Sequence, residues 1–247
     1  MNNINKESLK YESITFNLLY KNTPKDKPIV FFFHGFGGDK EYGAGGKDIT
    51  LASMGYTVIV LDAYEHGERR TNEYKELDNS QRQAMIIDTE INTAHDAIKV
   101  YDFLVEDSKI SSEMPLAVYG VSMGAAIAFY LSTIFDKVKS VVSIVGSPSF
   151  VDFYSYKQEV YSFPKDNQFY DRLKKYQRLD PLLNYKLFEN KKVFMSVGLR
   201  DKIVPMIYAK KLSSLIECEY REYDLGHESN PEMLSDSYNF LDKSINH

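Results

Sequence analysis

Gly120-Val121-Ser122-Met123-Gly124 is preceded by the apolar run Leu116-Ala117-Val118-Tyr119 and followed by the small, helix-favouring run Ala125-Ala126-Ile127-Ala128-Phe129. Together these read as strand, abrupt turn and helix. A serine in such a turn takes a strained backbone conformation that its flanking glycines permit, because a Cβ two residues to either side would collide with the neighbouring strand or helix. The strain lifts the hydroxyl clear of the sheet edge. The helix that follows points free N–H groups and its positive dipole end at whatever the serine attacks. The plain alternative is a glycine-eased turn that packs a helix closely on a strand. A base, an acid and oxyanion donors at the right places would decide between the two.

Outward from this turn, buried strands alternate with amphipathic helices. Ile29-Val30-Phe31-Phe32-Phe33 and Tyr56-Thr57-Val58-Ile59-Val60-Leu61 are continuous apolar runs of strand length, as expected for strands covered on both faces. Lys47 to Met54 reads as a helix ended by Gly55. The apolar residues of Gln81 to Glu106 recur close to the helical period and predict one long helix. Val138 to Val145 and Lys192 to Gly198 are further strands. Met206 to Ile216 is a predicted helix, Glu219 to Tyr223 a last strand, and Pro231 to Ile245 a closing helix. This order predicts an α/β fold with a mostly parallel central sheet and helices on both faces. Residues 8 to 21 alternate loosely and read as one or two edge strands.

Residues 149–190 interrupt the rhythm, with 11 aromatic residues between Phe150 and Phe188. They read as a small helical cap inserted over the carboxyl edge of the sheet, in which Asp180-Pro181 resembles an N-cap followed by proline at the first helical position. Phe150, Phe153, Tyr154 and Tyr161 are the candidates for a pocket wall. Packing the insertion's own small core is the other use for such aromatics.

Composition bounds the rest. A chain of 247 residues with 43% hydrophobic content supports one sizeable core, so residues 1–247 are expected to form a single domain containing the 149–190 insertion. Net charge is −5, with 30 basic residues scattered among 35 acidic ones. No basic stripe points to nucleic acid. Mean hydropathy is −0.38 and the apolar runs are strand-sized, so no membrane span is expected. The amino terminus lacks the apolar core of a secretion signal, and a cytoplasmic monomer or homodimer is the expectation. Cys218 is the single cysteine and there is no Cys/His cluster at metal-ligand spacing, so no metal is expected.

A serine hydroxyl is a poor nucleophile unless an imidazole removes its proton, and that imidazole needs a carboxylate to set its tautomer and stabilise its charged form. In an open α/β sheet such groups lie just beyond strand carboxyl ends. Asp201 and His227 meet that condition, in the chain order Ser122, Asp201, His227 expected with a serine elbow. His34 belongs to a glycine loop and reads as a structural anchor of it. His66 lies in a turn, His95 is mid-helix and His247 is terminal. The developing oxyanion needs donors as well. The backbone N–H groups of Met123, first after the nucleophile, and of Phe36, in the loop His34-Gly35-Phe36-Gly37-Gly38, are the candidates.

That loop, the Asp62 to Arg69 turn with His66-Gly67, the Gly120 to Gly124 elbow, Gly198 through Pro205 and Gly226-His227 together resemble the α/β-hydrolase superfamily, in its small bacterial serine esterase and prolyl-oligopeptidase-like branch. The resemblance runs from about residue 28 to the end. It implies hydrolysis of carboxylic esters without metal or organic cofactor, a small-molecule ester being the only partner expected; the aromatics of the cap, as a pocket wall, would favour a small acyl or aryl group. A serine peptidase or amidase acting on short peptides and a non-catalytic binding protein of the same fold are the alternatives. The elbow carries serine, which disfavours an aspartate-nucleophile dehalogenase. The short amino-terminal region departs from the family pattern, and the first strand is expected to be short or missing.

Overall fold

Two full strands open the fold, in contrast to the expectation of a short or missing first strand. Asn5–Tyr11 (β1) and Ile14–Tyr20 (β2) pair antiparallel from Asn5 opposite Tyr20 to Tyr11 opposite Ile14. In Asn5-Lys6-Glu7-Ser8-Leu9-Lys10-Tyr11 nearly every residue is polar because β1 is the sheet edge and stays largely exposed. Hydrophobic patterning therefore understates it. The structure, a computed structural model, describes residues 4–246.

Ile29–Phe33 (β3) precedes the helix Lys47–Ser53 (α1) and the strand Thr57–Leu61 (β4). All ten strand residues are buried. Helices Asn72–Glu76 (α2), Asn79–Ala84 (α3) and Ile86–Glu106 (α4) follow. The single long helix expected over Gln81 to Glu106 is thus broken at Met85. Asp78 starts α3 with a capping box in which its carboxylate accepts from the Gln81 N–H while the Gln81 side chain accepts from the Asp78 N–H.

Leu116–Val121 (β5), Met123–Ile134 (α5) and Val138–Ile144 (β6) form the central unit. The insertion then supplies Val151–Tyr161 (α6), Asn167–Leu179 (α7) and a short 3-10 helix, Tyr185–Phe188. Lys192–Gly198 (β7), Ile207–Ser213 (α8), Glu219–Tyr223 (β8) and Pro231–Asn246 (α9) complete the chain. The eight strands lie in the order β1-β2-β4-β3-β5-β6-β7-β8. Both pairings of β2 are antiparallel and all the others parallel.

Side-chain alternation divides the core into two layers. Phe31, Phe33, Ile59, Leu61, Leu116 and Val118 face one side of the sheet, where α4, α5 and α8 pack on them. Val30, Phe32, Val58, Val60, Ala117 and Tyr119 face the other, covered by Leu51 and Ala52 of α1 and by Met233, Leu241 and Ile245 of α9. Each such Val, Leu, Ile, Phe or Met side chain stabilises the fold by about 1.5–3 kcal/mol relative to its exposed state. No helix among the described residues is long and apolar enough to cross a membrane.

Asp180 does not begin a helix, as Asp180-Pro181 suggested; it ends α7 and joins two segments. It is completely buried. Its Oδ1 accepts from the N–H groups of Leu182 and Leu183 at 2.8 and 3.2 Å, as an N-cap would, but a turn follows. Its Oδ2 accepts from the Ser149 hydroxyl and from the N–H groups of Phe150 and Val151 at the start of α6. One carboxylate thus ties both ends of the cap together. Burial pushes its pKa up, against the lowering effect of these donors.

Candidate active site

Ser122 sits directly after β5 with φ 57° and ψ −119°. A Cβ on Gly120 would come within 2.0 Å of the Gly124 carbonyl oxygen, and one on Gly124 within 2.0 Å of the Phe33 carbonyl oxygen. The helix and the strand therefore approach so closely that only glycine fits at either position. The Ser122 N–H donates to the Ile144 carbonyl at 2.8 Å, which anchors the turn to β6.

Asp201 follows β7 and His227 follows β8, both at strand carboxyl ends next to Ser122. Asp201 Oδ1 accepts from the N–H groups of Ile203 and Val204 at 2.8 and 2.9 Å, and Oδ2 accepts from His227 Nδ1 at 2.7 Å. A carboxylate only accepts, so Nδ1 carries the imidazole proton and Nε2 is an acceptor. The Ser122 hydroxyl donates to that Nε2 at 2.7 Å. The structure therefore brings together all three side chains singled out in the sequence, in a chain along which a proton can leave the hydroxyl for a ring whose positive charge the carboxylate would stabilise.

Neither the Phe36 nor the Met123 backbone N–H has a hydrogen-bond partner among the described residues, and both residues line the cavity at Ser122. The loop that presents Phe36 is held from behind. His34 Nδ1–H donates to the Gly35 carbonyl at 2.8 Å while its Nε2 accepts from the Ala63 N–H at 3.1 Å. Burial lowers the pKa of His34, which suits the neutral tautomer that this pairing requires. His66, lowered to about 4 chiefly by burial, packs edge-on against the Phe36 ring with centroids 5.4 Å apart. Among the described residues His95 reaches only the Tyr130 hydroxyl, and His247 lies outside the described residues.

The cavity has a volume of about 380 Å³. Phe153 and Tyr161 of α6 line it, together with Ile86, Met123 and Val204. Phe150 and Tyr154 do not, which corrects their assignment to the pocket wall. Phe150 packs on Tyr130 and Tyr176, and Tyr154 on Phe163, Phe169 and Tyr176, as the cap's own core. On α6 the residues Phe153, Lys157 and Tyr161, four apart, share the face turned to the cavity. No three His, Cys, Asp or Glu side chains among the described residues cluster as metal ligands would.

Comparison with solved structures recovers this arrangement of sheet and helices. TT1662 from Thermus thermophilus superposes with a TM-score of 0.74 at 19% identity, over 99% of each chain. Acetyl xylan esterases and a post-proline cleaving enzyme are among the other solved structures that match. The fold is that of the α/β-hydrolases. Within the hydrolase fold, the family described as "BAAT / Acyl-CoA thioester hydrolase C terminal" matches residues 98–201, a stretch that runs from α4 through Ser122 to Asp201. "Putative esterase YitV" of Bacillus subtilis (strain 168) is 23% identical over 208 residues, 82% of this chain and 79% of its own. "Esterase YjfP" of Escherichia coli (strain K12) is 32% identical over 134 residues, 53% of this chain and 49% of its own. The chain thus has the α/β-hydrolase fold and is similar to proteins named as esterases, in line with the resemblance read from its motifs.

Gln83, Glu90 and Lys157 also line the cavity and escaped the reading of the sequence. A signal for Glu90 was there. It falls on the buried face of α4, among Ile86, Ile87, Ile91 and Ala94, where an unpaired carboxylate is out of place.

Proposed function

We propose that the protein is a serine hydrolase that cleaves carboxylic esters of small acyl or aryl groups through an acyl-enzyme, a carboxylesterase of the EC 3.1.1 class. The observation that carries this reading is the continuous hydrogen-bonded chain from Ser122 Oγ through His227 to Asp201, both links 2.7 Å long. His227 Nε2 takes the Ser122 proton as Oγ attacks the ester carbonyl. The N–H groups of Phe36 and Met123 hold the resulting oxyanion. The tetrahedral intermediate collapses, the C–O bond to the alcohol breaks, and His227 returns the proton to the departing oxygen. Water then enters, gives its proton to His227 and attacks the acyl carbon, and the acid leaves as Ser122 recovers its hydrogen. Asp201 keeps its negative charge throughout and orients the ring.

The matched thioester hydrolase family favours a second substrate class, since a thioester carbonyl undergoes the same acyl transfer with a better leaving group. A peptidase reading has less support, because the insertion beside the cavity is small, two helices and a short 3-10 turn.

The test is turnover of p-nitrophenyl butyrate, butyryl-CoA and alanine p-nitroanilide by the wild-type chain and by Ser122→Ala. Ester turnover that disappears in the variant, with an unchanged melting temperature, is the expected result. Undiminished activity in Ser122→Ala would reject the assignment, and labelling by a fluorophosphonate probe at any residue other than Ser122 would do the same. Preferential cleavage of the anilide would reverse the choice between esterase and peptidase.

A further inference from the structure

Three polar side chains of the cavity take no part in that chemistry. Glu90 is completely buried, and neither carboxyl oxygen has a hydrogen-bond partner among the described residues. Gln83, on α3, also has its buried side-chain oxygen unpaired. Lys157 lines the same cavity from α6 and is only 3% exposed. Its ammonium lies over the rings of Phe153 and Tyr161, 4.8 and 5.2 Å from their centroids. These rings hold it in place without accepting a hydrogen bond from it.

Glu90 and Lys157 influence each other electrostatically, yet no hydrogen bond joins them. Burial pushes the Glu90 carboxyl well above its usual range and brings Lys157 down to about 8, each shift partly offset by the other's charge. Such a cluster is a poor structural device. Each unpaired buried acceptor is destabilising, whereas apolar residues at these positions would be nearly neutral or stabilising.

Unpaired donors and acceptors beside the reacting carbonyl select the groups that satisfy them. A hydroxyl does so on both sides, since its oxygen accepts from the Lys157 ammonium while its hydrogen donates to an oxygen of Glu90 or Gln83. A ligand carboxylate would bring a second acid against Glu90, where burial penalises the ionised form of either, and a ligand ammonium would meet Lys157. A purely apolar group would leave all three unsatisfied. The geometry points to Gln83, Glu90 and Lys157 as a subsite that holds a neutral hydroxyl of the substrate, so that the preferred substrates are esters bearing a free hydroxyl. This inference rests on the ester-hydrolase reading above.

The experiment compares kcat/KM, by pH-stat titration, for two matched pairs. Methyl 3-hydroxybutyrate against methyl butyrate tests a hydroxyl on the acyl side. Glycerol monobutyrate against propyl butyrate tests one on the alcohol side. Monomethyl succinate and alanine methyl ester supply the charged controls. Wild type is expected to favour the hydroxylated member of one pair at least tenfold, and Lys157→Met and Glu90→Leu to bring that ratio below threefold. Fluorophosphonate labelling of Ser122 reports whether each variant is folded, and Lys157→Gln and Glu90→Gln replace any that is not, with a reduced ratio again expected. Equal rates within both pairs, with methyl butyrate hydrolysed normally, overturn the subsite and leave the hydrolase standing. A ratio unchanged in the folded variants, or a preference for either charged ester, overturns it equally. No turnover of any ester overturns it together with the reading on which it rests.

Discussion

Asp201→Asn changes one atom of the candidate site and should nearly abolish its activity. Oδ1 of Asp201 accepts two backbone N–H groups, from Ile203 and Val204, and Oδ2 accepts from His227 Nδ1. An asparagine can keep only one oxygen. With that oxygen turned to His227, its NH2 group faces two backbone donors and leaves both unpaired, at about 1–3 kcal/mol each. With the oxygen on Ile203 and Val204, the NH2 group donates to His227 Nδ1 and the imidazole answers by moving its proton to Nε2. The second arrangement wins by about 2–6 kcal/mol on this count. Nε2–H then faces the Ser122 hydroxyl as a donor and cannot take its proton. The expected loss is about a thousand- to ten-thousandfold in kcat, the size seen where a triad histidine is held in the wrong tautomer. Stopped-flow release of p-nitrophenol from p-nitrophenyl butyrate measures it. The rate of fluorophosphonate labelling of Ser122 should fall in parallel, and the melting temperature should move little because the buried hydrogen bonds are kept. A loss of less than tenfold in a folded variant would refute the role given to Asp201.

Gly124→Ala places a Cβ within 2.0 Å of the Phe33 carbonyl oxygen, a backbone atom that cannot swing away, and should cost about 1–3 kcal/mol or more in urea denaturation; an unchanged midpoint would contradict the close approach of strand and helix. Asp180→Ala deprives three backbone N–H groups, those of Phe150, Val151 and Leu183, of their buried acceptor, while that of Leu182 keeps the Pro148 carbonyl. It should cost about 1–3 kcal/mol for each donor left unpaired, and limited proteolysis should cut first within residues 149–190. Cleavage elsewhere would count against Asp180 as the tie of the cap. The Glu41 carboxyl is lowered to about 2 by hydrogen bonds from Lys6 and then Asn17. A depressed carboxylate contributes stability above its unfolded pKa and loses it as pH falls through the folded value. The advantage of wild type over Glu41→Gln should therefore be present at pH 7 and fade between about 4.5 and 2; the pair is part-exposed, so a small difference that high salt weakens further is expected in denaturant titrations. A difference independent of pH would show that the ion pair is not its source.

What could be read in the sequence was whatever depends on neighbours along the chain. Runs such as Ile29 to Phe33 announce strands buried on both faces. Gly120 and Gly124 are legible because their constraint arises within five residues of chain. β1 was harder to see because an edge strand has no buried face to pattern it, and the break at Met85 because the apolar period continues across it. Asp180-Pro181 carried the residues of an N-cap, and the cap it supplies serves α6, some thirty residues earlier in the chain.

The sequence by itself determined the alternation of strands and helices, the elbow, and the three residue types that a serine nucleophile requires in their order. Tertiary structure alone decided that Ser122, Asp201 and His227 meet within hydrogen-bonding distance, because their convergence depends on β5, β7 and β8 ending at the same edge of one sheet. It also decided which aromatics of the cap face the cavity, and it placed Glu90 and Lys157 in one pocket without pairing them. Contacts of that kind join residues distant in the chain, and their distances and partners are set by how the layers pack on one another.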